Sequence, residues 1–334
     1  MSIFLSKLLG RCIQTGIIGV LISLVCLLIA WNTYRHEHII YGFILGFCIG
    51  LVELYVLRRF KLKANLLKLF ARLLLYSLTI LVIVIFFGTV LLWFKGNDYN
   101  LEATEKDVML TVVQSVVVAF SIGLFLQLEA IVGVRILSQY LLGRYIRPKE
   151  ERRFFMFIDL NDSTSINERI GNRAYYKLLN DFFRDLSLPV FESDAQIYKY
   201  VGDEIILSWP FKKGVKNSNC LKLYFNFLFN IYKNRHLYVE KYGFMPTFKA
   251  ALHVGEVIVA QVGDLKKEIA FNGDALNTCA KIMEHCKPFG QGFLISEECF
   301  LTLDHISSYN FQLYPNVKLS GKEDEYNLYA VLRK

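Results

Sequence analysis

The chain has no CxxC pair, and its seven cysteines fall at no regular spacing. This excludes a disulfide framework and leaves reduced thiols, with Cys12, Cys26 and Cys48 in or beside the apolar runs of the first part. No small-residue cleavage site follows the first apolar run, and that run is too long for a signal peptide, so none is expected. Acidic residues are missing from the stretch holding Arg58, Arg59, Lys61, Lys63, Lys68 and Arg72. A basic excess is missing from the second half altogether. Residues 1–150 carry 15 Lys and Arg against 8 Asp and Glu, whereas residues 151–334 carry the remaining 23 against 22. Of the net charge of +8, +7 therefore belongs to the first part, and a nucleic-acid-binding surface on the second part is excluded.

What the chain has in excess is apolar residues, 54% of 334. Four runs of about twenty residues are long enough to span a bilayer: Gly10–Trp31, Ile39–Leu57, Leu73–Phe94 and Met109–Val132. With basic residues after the second and fourth runs, the positive-inside rule places both termini in the cytoplasm. The expectation is an all-α domain of four transmembrane helices over residues 1–134, with membrane lipid as its partner. The protein is then a multi-pass one of the inner (plasma) membrane. Helical periodicity continues from Leu128 to Arg144 and is broken by Gly143 and Pro148, which makes residues 135–149 a linker or transducer helix. His36 and His38, at the outer mouth of the first two runs, read as interfacial polar residues.

From residue 150 onward, strand and helix patterns alternate over a length suited to a single domain. Strands are expected at 153–159, 196–201, 204–209, 247–254, 256–262, 268–272 and 292–296. Helices are expected at 163–170, 173–186, 220–233 and 274–285. His253 reads as a core histidine, and Leu223, Tyr224, Phe225, Phe227 and Phe229 as a helix core. Asp159 closes the apolar run Phe154-Phe155-Met156-Phe157-Ile158. Asp203 follows Ile197-Tyr198-Lys199-Tyr200-Val201-Gly202, in the turn of an expected hairpin. Carboxylates at the ends of neighbouring strands make a hard-oxygen site suited to Mg²⁺ and a polyphosphate. Asn161-Asp162-Ser163-Thr164 leads into a helix start, where free backbone N–H groups and hydroxyls suit phosphate.

Three segments taken together resemble class III nucleotidyl cyclases: residues 157–164, residues 199–204, and Gly273-Asp274-Ala275-Leu276-Asn277-Thr278-Cys279-Ala280-Lys281. Their order and spacing match, as does the Gly-Arg-Tyr-x-x-Pro linker of membrane-bound bacterial members. The resemblance implies a ferredoxin-like α+β catalytic domain over residues 150–334, C-terminal to the four-helix domain. It further implies conversion of ATP to 3′,5′-cyclic AMP and pyrophosphate by a homodimer. By matching motif positions, Asp159 and Asp203 hold two Mg²⁺ ions, with Mn²⁺ as the alternative, helped by the backbone carbonyl of Ile158 or Leu160. Ser163 and Thr164 contact phosphate, Lys199 reads the base, Asn277 orients the ribose, and Lys281 stands where the family has an arginine. Lysine keeps the charge but loses the bidentate fork. Ala270 occupies the position of the usual purine-reading Asp or Thr, so ATP is favoured only by its frequency in the family. Guanine or pyrimidine specificity, and a catalytically weak sensor or interaction domain, are the alternative readings.

Overall fold

The computed structural model describes residues 2–29, 37–52, 75–83, 85–86, 101–132, 143, 145–264, 267–303 and 306–334. The chain divides into two compact units, Met1–Val134 and Arg135–Lys334. Half of the third expected span, residues 53–57 of the second, and residues 135–142 and 144 of the expected linker lie outside the described residues.

The first unit is helical, with α1 (Ser2–Ile29), α2 (Glu37–Leu51) and α3 (Leu101–Val132). Its interior joins small residues to hydrogen-bonded polar ones. Gly19 of α1 lies directly against the Gly42 carbonyl of α2, leaving no room for a Cβ. Gln114 Nε2 donates to Ser23 Oγ at 2.6 Å, and Tyr41 and Ser115 share a buried hydrogen bond. Among the described residues, no helix is long and apolar enough to cross a membrane. That finding overturns the expected multi-pass inner-membrane location. Buried polar side chains within the described helices, Thr15 and Ser23 on α1 and Gln114 and Ser115 on α3, reduce their apolar character.

The second unit is built on one sheet in the order β2-β3-β1-β4-β6-β8-β7, with β5 pairing β4. The strands are β1 (Lys149–Leu160), β2 (Gln196–Val201), β3 (Glu204–Pro210), β4 (Phe248–Val262), β5 (Glu268–Asn272), β6 (Phe293–Ser296), β7 (Tyr309–Lys318) and β8 (Glu325–Arg333). Between β1 and β2 run α4 (Ser163–Ile170) and α5 (Asn172–Glu192); α6 (Asn219–Lys233) and α7 (Arg235–Tyr242) lead from β3 into β4. The first four strands thus lie in the order 4-1-3-2 with helical crossovers, the expected ferredoxin-like arrangement. Both faces of β1 are covered, which is why its sequence is a continuous apolar run rather than an alternating one. Phe154, Met156, Ile158 and Leu160 pack under α4, α5 and α6, in one core with Ile166, Phe182 and Phe227. Phe155 and Phe157 face the other core, which is closed by Ala275, Cys279, Ile282 and Met283 of α8 (Asp274–Glu284).

Several elements differ from the sequence expectation. The strands expected at 247–254 and 256–262 are one strand of 15 residues, because Gly255 pairs with Arg153 and continues the ladder. Helix α5 runs on through Pro189 to Glu192 rather than stopping at 186. Its end is fixed by Ser193, whose N–H and hydroxyl both donate to the Pro189 carbonyl, and by Trp209 Nε1 donating to the Ser193 carbonyl at 3.0 Å. Strands β7 and β8, helix α7 and helix α9 (Glu297–Thr302) were not anticipated. Of the aromatic cluster on α6, Leu223, Tyr224, Phe225 and Phe227 are core as expected, whereas Phe229 is 58% exposed. His253 is buried and hydrogen-bonded to Ser296 Oγ at 2.8 Å, as a core histidine should be.

Gly255 also lets α8 approach the sheet, since a Cβ there would stand 2.8 Å from the Ala275 Cβ. Gly255→Ala is therefore expected to destabilise the protein by about 1–3 kcal/mol through overpacking. Adding Ala275→Gly should recover part of the loss, read as the urea midpoint of the single and double variants. Equal midpoints for wild type and Gly255→Ala would rule out the close approach.

Candidate active site

Asp159 stands at the rim of β1 because the strand's last register pairs put it opposite Glu204 of β3 and Lys249 of β4. The β2–β3 hairpin turns on Gly202, whose φ of 63° is a left-handed conformation that glycine adopts without cost. The next residue, Asp203, is thereby held in the turn beside the end of β1. Lys249 Nζ lies 2.9 Å from Asp159 Oδ2, with both side chains mostly buried. Burial raises the Asp159 carboxyl above its ordinary value; Asp203 adds to the rise, and Lys249 opposes it. Glu204 is pushed up to about 7, first by burial and then by the two aspartates. Three carboxyl groups and one ammonium therefore share the end of three adjacent strands.

The loop after β1 is tied to the start of β4. The Asn161 N–H donates to the Thr247 carbonyl at 2.9 Å, and Asn161 Nδ2 donates to Thr247 Oγ1 at 3.1 Å. Asp162 takes a left-handed conformation (φ 54°), which is tolerable for an aspartate, and its side chain caps nothing. Ser163 and Thr164 then open α4, so their position at a helix start is as expected. Ser163 hydrogen-bonds Tyr175 of α5, whose phenol is raised by burial and by the nearby Asp203. Ile158 is paired on both sides, to Ile205 and Ala250, whereas the ladder with β3 ends at the Asp159–Glu204 pair, one residue before Leu160. Backbone groups of Leu160 are thus the less committed of the two.

The remaining predicted residues lie elsewhere in the unit. Lys199 is on β2, its Nζ 3.4 Å from Glu268 Oε2 of β5 and 5.5 Å from the Tyr198 ring centre. Ala270 is two residues beyond Glu268 on the same strand, paired with Ala260. Asn277 is exposed on α8. One turn later, Lys281 donates to Glu284 Oε1 at 2.9 Å, and Glu284 also accepts from Ser320. At the N-terminus of α8, Asp274 pairs with Lys322 and accepts from Thr278 Oγ1 at 3.0 Å; the Lys322 contact is the main reason its carboxyl is lowered. Among the described residues, no hydrogen bond or ion pair joins Lys199, Asn277 or Lys281 to Asp159 or Asp203. The structure brings the two aspartates together, while Lys199 and Lys281 pair with Glu268 and Glu284.

Among the described residues, no group of three or more His, Cys, Asp or Glu side chains is placed to hold a metal ion. A two-aspartate site at a strand end still fits a hard divalent cation, because Mg²⁺ keeps several waters and takes one or two carboxylates together with substrate phosphates. Asp159, Asp203 and Glu204 outnumber Lys249 at this strand end, and a cation would relieve that surplus of negative charge. Glu204, Lys249, Tyr175 and Glu268 were missed by sequence reasoning. Glu204 had a signal, since it follows Asp203 directly and opens a strand; the others become visible only through register and packing.

No known family profile matches the chain. Two curated relatives match part of it. Adenylate cyclase 2 of Rhizobium meliloti (strain 1021) is 34% identical over 173 residues, 52% of this chain and 48% of that one. The adenylate cyclase of Anabaena cylindrica is 27% identical over 188 residues, 54% of this chain and 36% of that one. The chain thus spans about half or less of the length of these relatives. Among solved structures, a bacterial light-regulated adenylyl cyclase matches with a TM-score of 0.55 at 16% identity, over 72% of this chain and 67% of that one. The fold is that of a cyclase.

Glu204 offers a test of the acidic cluster. Its carboxyl, pushed up to about 7 in the fold, ordinarily titrates near 4.5, so the protonated group favours the folded state. That contribution is complete below about pH 4.5 and is lost as pH rises through about 7. In metal-free buffer, the thermal midpoint of wild type should fall across this window, and Glu204→Gln should flatten the fall. Parallel pH profiles for the two proteins would contradict the crowding of the three carboxyl groups.

Proposed function

We propose that residues 150–334 are an adenylate cyclase catalytic domain, forming 3′,5′-cyclic AMP and pyrophosphate from ATP. The reading rests above all on the meeting of Asp159 and Asp203 at the rim of β1, beside a helix start that suits phosphate. In this reading the ribose 3′-oxygen attacks the α-phosphorus, its proton passes to solvent, and the bond to the β-phosphate oxygen breaks to release pyrophosphate. Asp159 and Asp203, with the Leu160 carbonyl, hold the divalent cations. When bound, these ions supply Lewis acidity at the 3′-oxygen and neutralise the triphosphate. Ser163, Thr164 and the first N–H groups of α4 receive phosphate oxygens. Lys249 holds Asp159 in place and restrains charge repulsion at the acidic rim. Lys199 reads the base, Asn277 orients the ribose, and Lys281 carries positive charge towards the α-phosphate.

The exposure of Asn277 and the pairing of Lys281 with Glu284, rather than with either aspartate, support a site completed by a second copy of the chain. One copy supplies the metal-binding aspartates, and the other supplies Lys199, Asn277 and Lys281. Half-exposed apolar side chains on strands, Val201 at 52%, Ile258 at 46% and Val262 at 48%, offer surface for such an association.

Complementation tests this arrangement. Asp159→Asn should lower Mg²⁺- or Mn²⁺-dependent cyclic AMP formation by at least about 10²-fold, and Asn277→Ala by a comparable factor. Mixing the two inactive variants should restore part of the activity, since a mixed dimer keeps one intact site. No recovery, in mixtures shown by sizing to exchange subunits, would refute the shared site.

A further inference from the structure

The base-reading position of this chain presents a puzzle that β5 resolves. Ala270 has no side-chain acceptor, yet the strand that carries it also carries Glu268. Residues two apart on a strand project to the same face, so Glu268 points to the side where Ala270 offers only a methyl group. Ile269 and Phe271, in the alternate positions, pack into the core with Tyr198. That packing draws β5 to β2. The Phe271 N–H donates to the Tyr198 hydroxyl at 3.3 Å, and the two rings meet edge-on at 4.7 Å. Arg153 stacks over the Phe271 ring at 4.7 Å and donates to Ser208 Oγ of β3 at 2.9 Å, fixing the approach from below. Lys199 and Glu268 are carried to 3.4 Å by this framework, with 46% and 41% of their side chains exposed. An ion pair so exposed adds little to stability.

We infer that Glu268 is the specificity-determining acceptor for the base, taking the part that Ala270 cannot play, and that it reads the exocyclic amino group of adenine. The inference rests on the cyclase reading for the identity of Lys199 as the base-contacting lysine. Lysine presents only donors and a carboxylate only acceptors. Set side by side, they match two neighbouring atoms of adenine: Lys199 donates to N1, and Glu268 accepts from the N6 amino group. The framework beneath is stiff, since Tyr198, Phe271 and Arg153 lock both strands, so the pair is held ready rather than assembled by the nucleotide.

The test compares ATP with purine riboside triphosphate, which keeps N1 and lacks only the amino group. Binding to the full chain is measured by calorimetry, and cyclisation is measured alongside it. Wild type should favour ATP by about ten- to a hundredfold, the range for a hydrogen bond to a charged group. Glu268→Ala should bring the two nucleotides to within a few-fold, and Glu268→Gln, which keeps a carbonyl acceptor, should retain part of the preference. Lys199→Ala should weaken both nucleotides alike. An unchanged preference in Glu268→Ala, an equal loss for both nucleotides in that variant, or tighter binding of GTP than ATP by wild type would each overturn the assignment. An ATP preference that depends on Glu268 in a protein forming no cyclic product would overturn the cyclase reading and leave Glu268 as the base reader.

Discussion

The pairing of β1 along both edges is the constraint on which the candidate site depends. Twelve residues of this strand are in register with β4 and seven with β3. Side chains on both of its faces are buried in separate cores. A strand held this way cannot slip by one residue without turning each core outward. Asp159 is consequently fixed at the rim, opposite Glu204 and Lys249, and the loop to α4 begins at a defined point. The same register places Arg153 beneath β2 and β5, where it steadies the strands that carry Lys199 and Glu268.

Electrostatics at the rim follow from that placement. Asp159, Asp203 and Glu204 crowd one another where burial already disfavours charge, and Lys249 offsets only part of the cost. Such a cluster is poorly suited to stabilising a fold and well suited to receiving a cation. Lys281 and Asp274 show the opposite case. Each is engaged with a partner on or near α8, at Glu284 and Lys322, in the kind of exposed pair that contributes little to stability. The demanding electrostatics sit with the aspartates.

Much of the catalytic unit was legible in the sequence where local pattern and tertiary environment agree. The bounds of β2, β5 and α4 match the expectation, because alternation, turn residues and helix periodicity point the same way there. Asp159, Asp203 and the Ser163–Thr164 helix start were legible because each sits directly against such an element. Strands β7 and β8 were not anticipated: Tyr309, Phe311 and Leu313 alternate with Asn310 and Gln312, but the run is short, largely exposed, and interrupted at Pro315, where the pairing with β8 is irregular. Gly255 read as a break and proved to be a close-packing position under Ala275, a role set by a helix distant in sequence. The apolar runs of the first unit led to an expectation of membrane spans that the described helices do not support.

By itself, the sequence determined the alternation of strands and helices after residue 150, the carriage of two aspartates at strand ends, and the lack of an acceptor at Ala270. These are local properties, set by the periodicity and chemistry of neighbouring residues. Only the tertiary structure decided what meets what. It set Glu204 and Lys249 beside Asp159, paired Lys281 with Glu284, and brought Glu268 to Lys199. Such contacts depend on strand register and on the packing of Tyr198, Phe271 and Arg153 across long stretches of chain, and no short-range pattern encodes them.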